Sequence, residues 1–254
     1  MDLIITSSKF SRDVLYTTIY NENDNNTGQL KKQHKIKKPI EVIFEGVDTE
    51  IYKEQETSSF DLSLIQEDFA FLFVGHWLNG IIGQDRKDIG GLIKTFIQTF
   101  DKHEKPPALI LKTSKGRTSV KDREIIRELI ESLNESGNNS PSIYLIHGEL
   151  KDQEMNELYN HPKVKSMVSL SKGEGFGRPL LEFSLTGKPI ISSNWSGQKD
   201  FLSTPHSLLV GGELTNVHKS ASDKILLEES KWFTANYDEA SNLMKACYEQ
   251  YDAA

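Results

Sequence analysis

The sequence is poor in the features that would assign it quickly. Cys247 is the single cysteine in 254 residues, so no disulfide can form within the chain and a reducing, cytoplasmic setting is the expectation. No apolar run approaches the roughly 20 residues that a membrane-spanning helix requires. The opening residues, Met1-Asp2-Leu3-Ile4-Ile5, place an acid second and follow it with too short an apolar stretch for a secretory leader. They read instead as a buried strand. Four Asn-x-Ser/Thr triplets, at Asn25, Asn134, Asn138 and Asn194, are then expected to be chance. Positive charge is also scarce: 30 Lys and Arg against 37 Asp and Glu leave a formal charge of −7. That balance argues against a protein that grips nucleic acid through its overall field, so an anionic ligand would need a local site. Metal-ligand patterns are missing too. There is no Asp-x-Asp, the seven histidines form no His-x3-His pair, and one cysteine cannot build a thiolate site. No metal and no cofactor are expected.

What is present is an alternation of apolar runs and helical periodicities from residue 69 onward, the signature of βαβ units and a parallel sheet. Phe69–Val74 reads as a strand buried on both faces. Ile89, Leu92, Ile93, Phe96, Ile97 and Phe100 then recur at the spacing of one helix face, with Pro106 and Pro107 closing that helix. Ala108–Lys112 is a second strand, followed by a helix carrying Ile125, Ile126, Leu129, Ile130 and Leu133 on one side. Ile143–Ile146 is a third strand, Asp152–Tyr159 a short helix and Val164–Leu170 a fourth strand. A helix from Pro179 to Gly187 and a strand at Ile190–Ser192 complete a doubly wound, Rossmann-like α/β sheet. Residues 1–60 differ in character. Asn21–Asn26 reads as an exposed loop, the lysines from Lys31 to Lys38 as a solvated face, and Ile40–Phe44 as one more strand.

The chemistry-bearing stretch is Ser171-Lys172-Gly173-Glu174-Gly175-Phe176-Gly177-Arg178-Pro179-Leu180-Leu181-Glu182. Gly173, Gly175 and Gly177 let the backbone turn sharply between a strand and a helix and bring unshielded amides close to a ligand. Pro179 fits a first helical position, and the unpaired amides there favour an anion such as a phosphate. A carboxylate beside a phosphate is repelled, so Glu174 and Glu182 suit hydroxyls instead, Glu182 on a ribose and Glu174 on a sugar beyond the diphosphate. The bland alternative is a tight turn without a ligand, with Glu182 complementing a helix dipole. Arg178 stands where a Gly-x-Gly-x-x-Gly motif needs its last glycine, and no Gly-Lys-Ser/Thr follows a glycine-rich loop, which disfavours dehydrogenases and P-loop enzymes. His76 and His147 are candidates for proton work, although a histidine at a strand end is commonly structural.

The run from Gly173 to Gly197, with Glu-Gly-Phe-Gly-Arg-Pro-Leu-Leu-Glu and then Thr-Gly-Lys-Pro-Ile-Ile-Ser-Ser-Asn-Trp-Ser-Gly, resembles the Glu-x7-Glu motif of the retaining glycosyltransferases of family 4. The resemblance implies the GT-B architecture, two Rossmann-like domains facing a cleft, with this motif in the C-terminal domain that binds a nucleoside-diphosphate sugar. Gly173, Gly175, Phe176, Gly177, Arg178, Leu181 and Glu182 would then line the donor site. Phe71–Gly75 resembles the first strand of that domain, placing Gly75 and His76 beside the donor. Arg86-Lys87-Asp88-Ile89 resembles its basic position, where Lys87 would hold the diphosphate. Ile146-His147-Gly148-Glu149-Leu150 resembles the turn against the nucleobase, which brings in His147, Gly148 and Leu150. Ser7–Ser11 and Glu45–Asp48 resemble the end of an N-terminal domain and the interdomain crossing. The implied organisation is residues 1–60 as a remnant of the acceptor-side domain and 61–254 as the donor domain, with Glu174, Lys87 and Arg86 as catalytic residues.

The sequence departs from the family in one place. His76 and Trp77 follow Val74-Gly75 where the family often has an arginine, and a longer loop, Leu78–Asp85, precedes the basic pair. Arg86 is the expected substitute guanidinium, with Lys172 as an alternative second cation. A non-catalytic nucleotide-sugar-binding module, or a donor half completed by a partner that supplies the rest of the N-terminal domain, is the competing reading. A nucleotide-sugar epimerase of the same architecture is a further one.

Overall fold

Six parallel strands run side by side through the centre of the protein, and everything else is arranged about them. The computed structural model describes residues 2–134, 140–203, 205–223 and 226–251, so the Asn138 triplet lies outside the described residues. In chain order the elements begin with β1 (Ile4–Thr6), α1 (Lys9–Thr17), β2 (Ile19–Asn23), β3 (Leu30–Lys35) and β4 (Ile40–Val42). The central portion follows: β5 (Ala70–His76), α2 (Ile89–Phe100), β6 (Ala108–Ser114), α3 (Val120–Leu133), β7 (Ile143–Ile146), α4 (Asp152–Asn160), β8 (Val164–Ser169), α5 (Arg178–Ser184) and β9 (Ile190–Ser193). It closes with β10 (Ser207–Val210), the hairpin β11 (Gly212–Asn216) and β12 (Lys231–Ala235), and α6 (Tyr237–Glu249).

The large sheet has the order β10-β9-β8-β5-β6-β7. Side chains alternate across a strand, and β5 shows the consequence. Phe71 and Phe73 enter one core with Ile93, Phe96 and Phe100 of α2, Ile126 of α3 and Met244 of α6. Ala70 and Leu72 enter a second core, on the other face, with Leu158 and Tyr159 of α4 and Leu180 and Phe183 of α5. Helices therefore cover both faces, and the doubly wound reading holds. Tyr52, Leu62 and Ile65 also join the second core, so part of the segment before β5 is packed on the sheet.

Several local expectations need correction. The N-terminal strand is not buried: β1 pairs only with β4, in a two-stranded sheet, and Ile5 is 58% exposed. The polar run at Asn21 and the following lysines form the β2–β3 hairpin, whose strand residues are all exposed. α2 ends at Phe100 with Asp101 as its cap, and Pro106 and Pro107 instead lead into β6. Ile125 points away from the core at 37% exposure while Ile126 is fully buried. α5 starts at Arg178, making Pro179 its second residue.

Candidate functional site

Across the sheet, the chain runs from β5 outward through β6 and β7, then returns to lay β8 on the other side of β5. The crevice above the C-terminal ends of two such neighbours is where open α/β sheets take ligands. Here the loop after β5 carries Arg86 and Lys87, and the loop after β8 is the glycine turn. The two loops are tied together: the Lys172 amide donates to the Arg86 carbonyl at 2.8 Å, and the Ser171 hydroxyl donates to the same oxygen at 3.3 Å.

Glu174 joins the predicted cations directly. Lys87 Nζ is 2.6 Å from Oε1 and Arg86 Nη1 is 3.1 Å from Oε2, and Arg86 Nη1 also donates to the Gly173 carbonyl at 2.6 Å. Burial alone would raise the Glu174 carboxyl, but the charges of Lys87 and Arg86 outweigh it and hold the group below its ordinary range. Glu174, expected on sugar hydroxyls, and the two cations, expected on a diphosphate, therefore meet one another in the folded chain. Gly75 makes room for the Phe73 ring, which a Cβ would meet at 3.0 Å, whereas Lys87 Cε, at 3.5 Å, would be in ordinary contact.

Beneath these residues lies a buried polar layer. The Lys87 amide donates to Asp85 Oδ1 at 3.0 Å. Asp88 adopts a left-handed conformation at φ 52° and accepts the Tyr237 hydroxyl at 2.7 Å. Lys172 Nζ is 3.2 Å from the same Asp88 oxygen, and the Lys172 and Asp88 side chains are 1% and 0% exposed. Burial, reinforced by the charge of Asp88, pushes the Asp85 carboxyl up to about 6. Burial raises Asp88 as well, against the opposing charge of Lys172 and the Tyr237 hydrogen bond. The suggestion of Lys172 as a second diphosphate cation is thereby corrected. Its ammonium turns into the protein, over the Trp232 ring at 5.5 Å.

The glycine turn is shaped by the segment after β9. Glu174 donates its amide to Ser196 Oγ at 2.9 Å, Ser196 donates to Gln198 Oε1 at 2.9 Å, and the Gly197 amide donates to the Glu174 carbonyl at 3.0 Å. Gly177, at φ 97°, supplies the left-handed residue that starts α5. Among the described residues, the amides of Gly175, Phe176 and Gly177 have no protein acceptor. The Phe176 side chain faces inward, between Phe44 at 6.3 Å and Phe201 at 5.2 Å, so this candidate offers its backbone rather than its ring. Leu181 is half-buried, with its amide 3.2 Å from the Gly177 carbonyl. Glu182 is buried and accepts the Tyr159 hydroxyl at 3.1 Å and Arg178 Nε at 2.8 Å. Burial raises its carboxyl, and the Arg178 and Tyr159 bonds work against that rise.

Beyond β5, the remaining candidates gather at a cavity of about 640 Å³ lined by His76, Lys112, Ser114, Arg117, Gly148 and Leu150. His76 Nδ1 is 3.0 Å from Ser114 Oγ, and Lys112 Nζ donates to the Gly148 carbonyl at 2.6 Å. Gly148 takes φ 114°. His147 is not available there, because its Nε2 is 2.9 Å from Asp122 Oδ2 and both side chains are 7% exposed. Burial works to raise Asp122, but the bonds from His147 and the Lys115 amide leave it below its ordinary range. Ser196, Gln198, Lys112 and Arg117 were missed by sequence reasoning, and Ser171 was quoted at the head of the glycine stretch without a role. Signals lay only in the quoted runs, at Ser171 and at the Ser-Gly pair at 196–197. Among the described residues, no group of three or more His, Cys, Asp or Glu is placed to hold a metal ion, and no helix is long and apolar enough to cross a membrane.

No family model matches the sequence, and no curated protein matches it. Solved structures do. The C-terminal domain of a glycosyl transferase group 1 family protein from Francisella tularensis superposes with a TM-score of 0.55 at 17% identity, over 82% of this chain and 90% of that one. The Anabaena protein HepE, solved in complex with UDP-glucose, gives 0.62 at 15% identity over 99% of this chain and 55% of its own. Sucrose-phosphate synthase from Thermosynechococcus elongatus gives 0.60 at 16% identity over 98% and 49%. The chain thus spans about half the length of these last two. At such identities the likeness is one of fold, and the fold is that of the C-terminal, Rossmann-like domain of the GT-B glycosyltransferases.

Proposed function

We propose that the chain binds a nucleoside-diphosphate sugar and forms the donor side of a metal-independent, retaining glycosyltransferase of the family 4 type, acting in the cytoplasm. The observation that carries this reading is the meeting of Lys87 and Arg86 with the glycine turn at the sheet's crossover point, beside three amides that lack a protein acceptor among the described residues. Backbone donors and two cations are what a diphosphate requires as its bond to the sugar breaks and negative charge grows on it. The base would enter the cavity at His76, Gly148 and Leu150. The ribose would meet Glu182, whose oxygens accept one hydrogen bond each and retain capacity for a hydroxyl. Glu174 would accept from the transferred sugar once the phosphates engage the cations.

The chain spans about half the length of two structural neighbours; a second reading is a nucleotide-sugar-binding module that holds the donor without transferring its sugar. The two readings differ in turnover and share the binding site. Thermal unfolding against uridine, guanosine, adenosine and thymidine diphosphates and their sugars tests that site. A ligand at 100 times its Kd adds about 2.7 kcal/mol to native stability. One base should stabilise the protein and Lys87→Ala should remove the effect, whereas stabilisation unchanged in Lys87→Ala would take that lysine out of the site.

A further inference from the structure

Glu174 is fixed at its backbone on both sides, its amide on Ser196 at 2.9 Å and its carbonyl on the Gly197 amide at 3.0 Å. Its carboxylate is 10% exposed and holds both cations of the crevice, Lys87 at 2.6 Å and Arg86 at 3.1 Å. The cations are fixed at the backbone as well, Lys87 through Asp85 and Arg86 through the Lys172 amide. What can move is side-chain ends.

We propose that Glu174 is an internal competitor of the diphosphate: it occupies Lys87 and Arg86 before the donor binds, reclaims them after the sugar has left, and so weakens the hold on the spent nucleoside diphosphate. The inference rests on the diphosphate reading of this crevice. Two cations and one carboxylate leave a single positive charge, too little for a linker carrying two negative ones, so the phosphates must draw the cations away from Glu174. The displaced carboxylate then sits beside phosphate in a largely desolvated pocket, an unfavourable place for a second anion without partners. An intact nucleotide sugar relieves that penalty, because its sugar hydroxyls can donate to Glu174. A bare diphosphate brings no such donors. Glu174 therefore discriminates between loaded and spent donor by penalising the spent one, which is specificity through a repulsive element.

The test is calorimetric titration of inorganic pyrophosphate, the linker without base or sugar, into the wild-type chain, Glu174→Gln and Lys87→Met. Circular dichroism confirms folding, and Glu174→Ala is the second variant if the amide is not accommodated. Removing the competing charge should tighten pyrophosphate binding by about tenfold or more, in line with a charge-assisted hydrogen bond, while Lys87→Met weakens it. Pyrophosphate binding that is unchanged or weaker in both Glu174 variants overturns the competitor role and leaves the diphosphate site standing. Absence of binding to every form of the protein, with no nucleotide stabilising the wild type, overturns the site itself.

Discussion

Gly197 approaches Gly175 so closely that a Cβ on Gly197 would lie 2.2 Å from the Gly175 carbonyl oxygen and 2.6 Å from its carbonyl carbon. Both atoms belong to backbone, so neither can rotate out of the way. Gly197→Ala should therefore push the glycine turn away from the segment after β9. The expected cost is about 1–3 kcal/mol of stability, read by denaturant unfolding, together with a loss of nucleotide-dependent stabilisation. Gly46→Ala is the control, since it lies outside the glycine turn and a Cβ there meets nothing within 4 Å. Equal behaviour of the two variants would show that the close approach is not needed.

That contact explains how far the sequence could be read. The parallel sheet followed from long apolar runs such as Ala70–Phe73 and Ala108–Leu111, all fully buried. The glycine turn followed from its spacing, and α2 from a helix face that is apolar throughout. The partners of each charged group did not follow, because they come from loops far apart in sequence: Glu174 with Lys87, Lys172 with Asp88, His147 with Asp122. Lys172 and Lys87 look alike in a sequence. Only the crossing of β8 beside β5 decides that one faces the crevice and the other the interior.

The buried position of Lys172 makes a prediction of its own. Lys172→Met removes the cation from Asp88 and leaves a buried carboxylate that keeps the Tyr237 hydroxyl but has lost its opposite charge. Loss of one member of such a pair costs about 3–5 kcal/mol, which equilibrium unfolding in urea would read. The double variant Lys172→Met/Asp88→Asn should recover a large part of that loss. No recovery would mean that the lysine acts through packing on Trp232 rather than through the ion pair.

Asp85 should leave a signature in the pH dependence of stability. Its carboxyl ionises near 6 in the folded protein against 3.8 ordinarily. Between those values the folded state holds the proton and the unfolded state has released it, so stability falls as pH rises through the window. The slope from this group is at most about 1.4 kcal/mol per pH unit. Subtracting the unfolding free energy of Asp85→Asn from that of the wild type should give a difference that declines from about pH 4 to about pH 6 and is level above about pH 7. A difference that rises with pH would mean that the carboxyl is stabilised in its charged form.

At the C-terminal ends of β5 and β8, the amides of Gly175, Phe176 and Gly177 are the proposed seat of a diphosphate. Two cavities at the other ends of the strands compete as sites: one of about 780 Å³ beside Phe69, His103 and Tyr248, and one of about 600 Å³ beside Lys188, His206 and Cys247. Following the backbone amide resonances while titrating the stabilising nucleoside diphosphate separates them. The largest shifts are expected at Gly175, Phe176, Gly177 and Lys87, with smaller ones at His76 and Gly148. Shifts centred on Tyr248 or Cys247, with the glycine turn unmoved, would place the nucleotide at the opposite end of the sheet and overturn the proposed site.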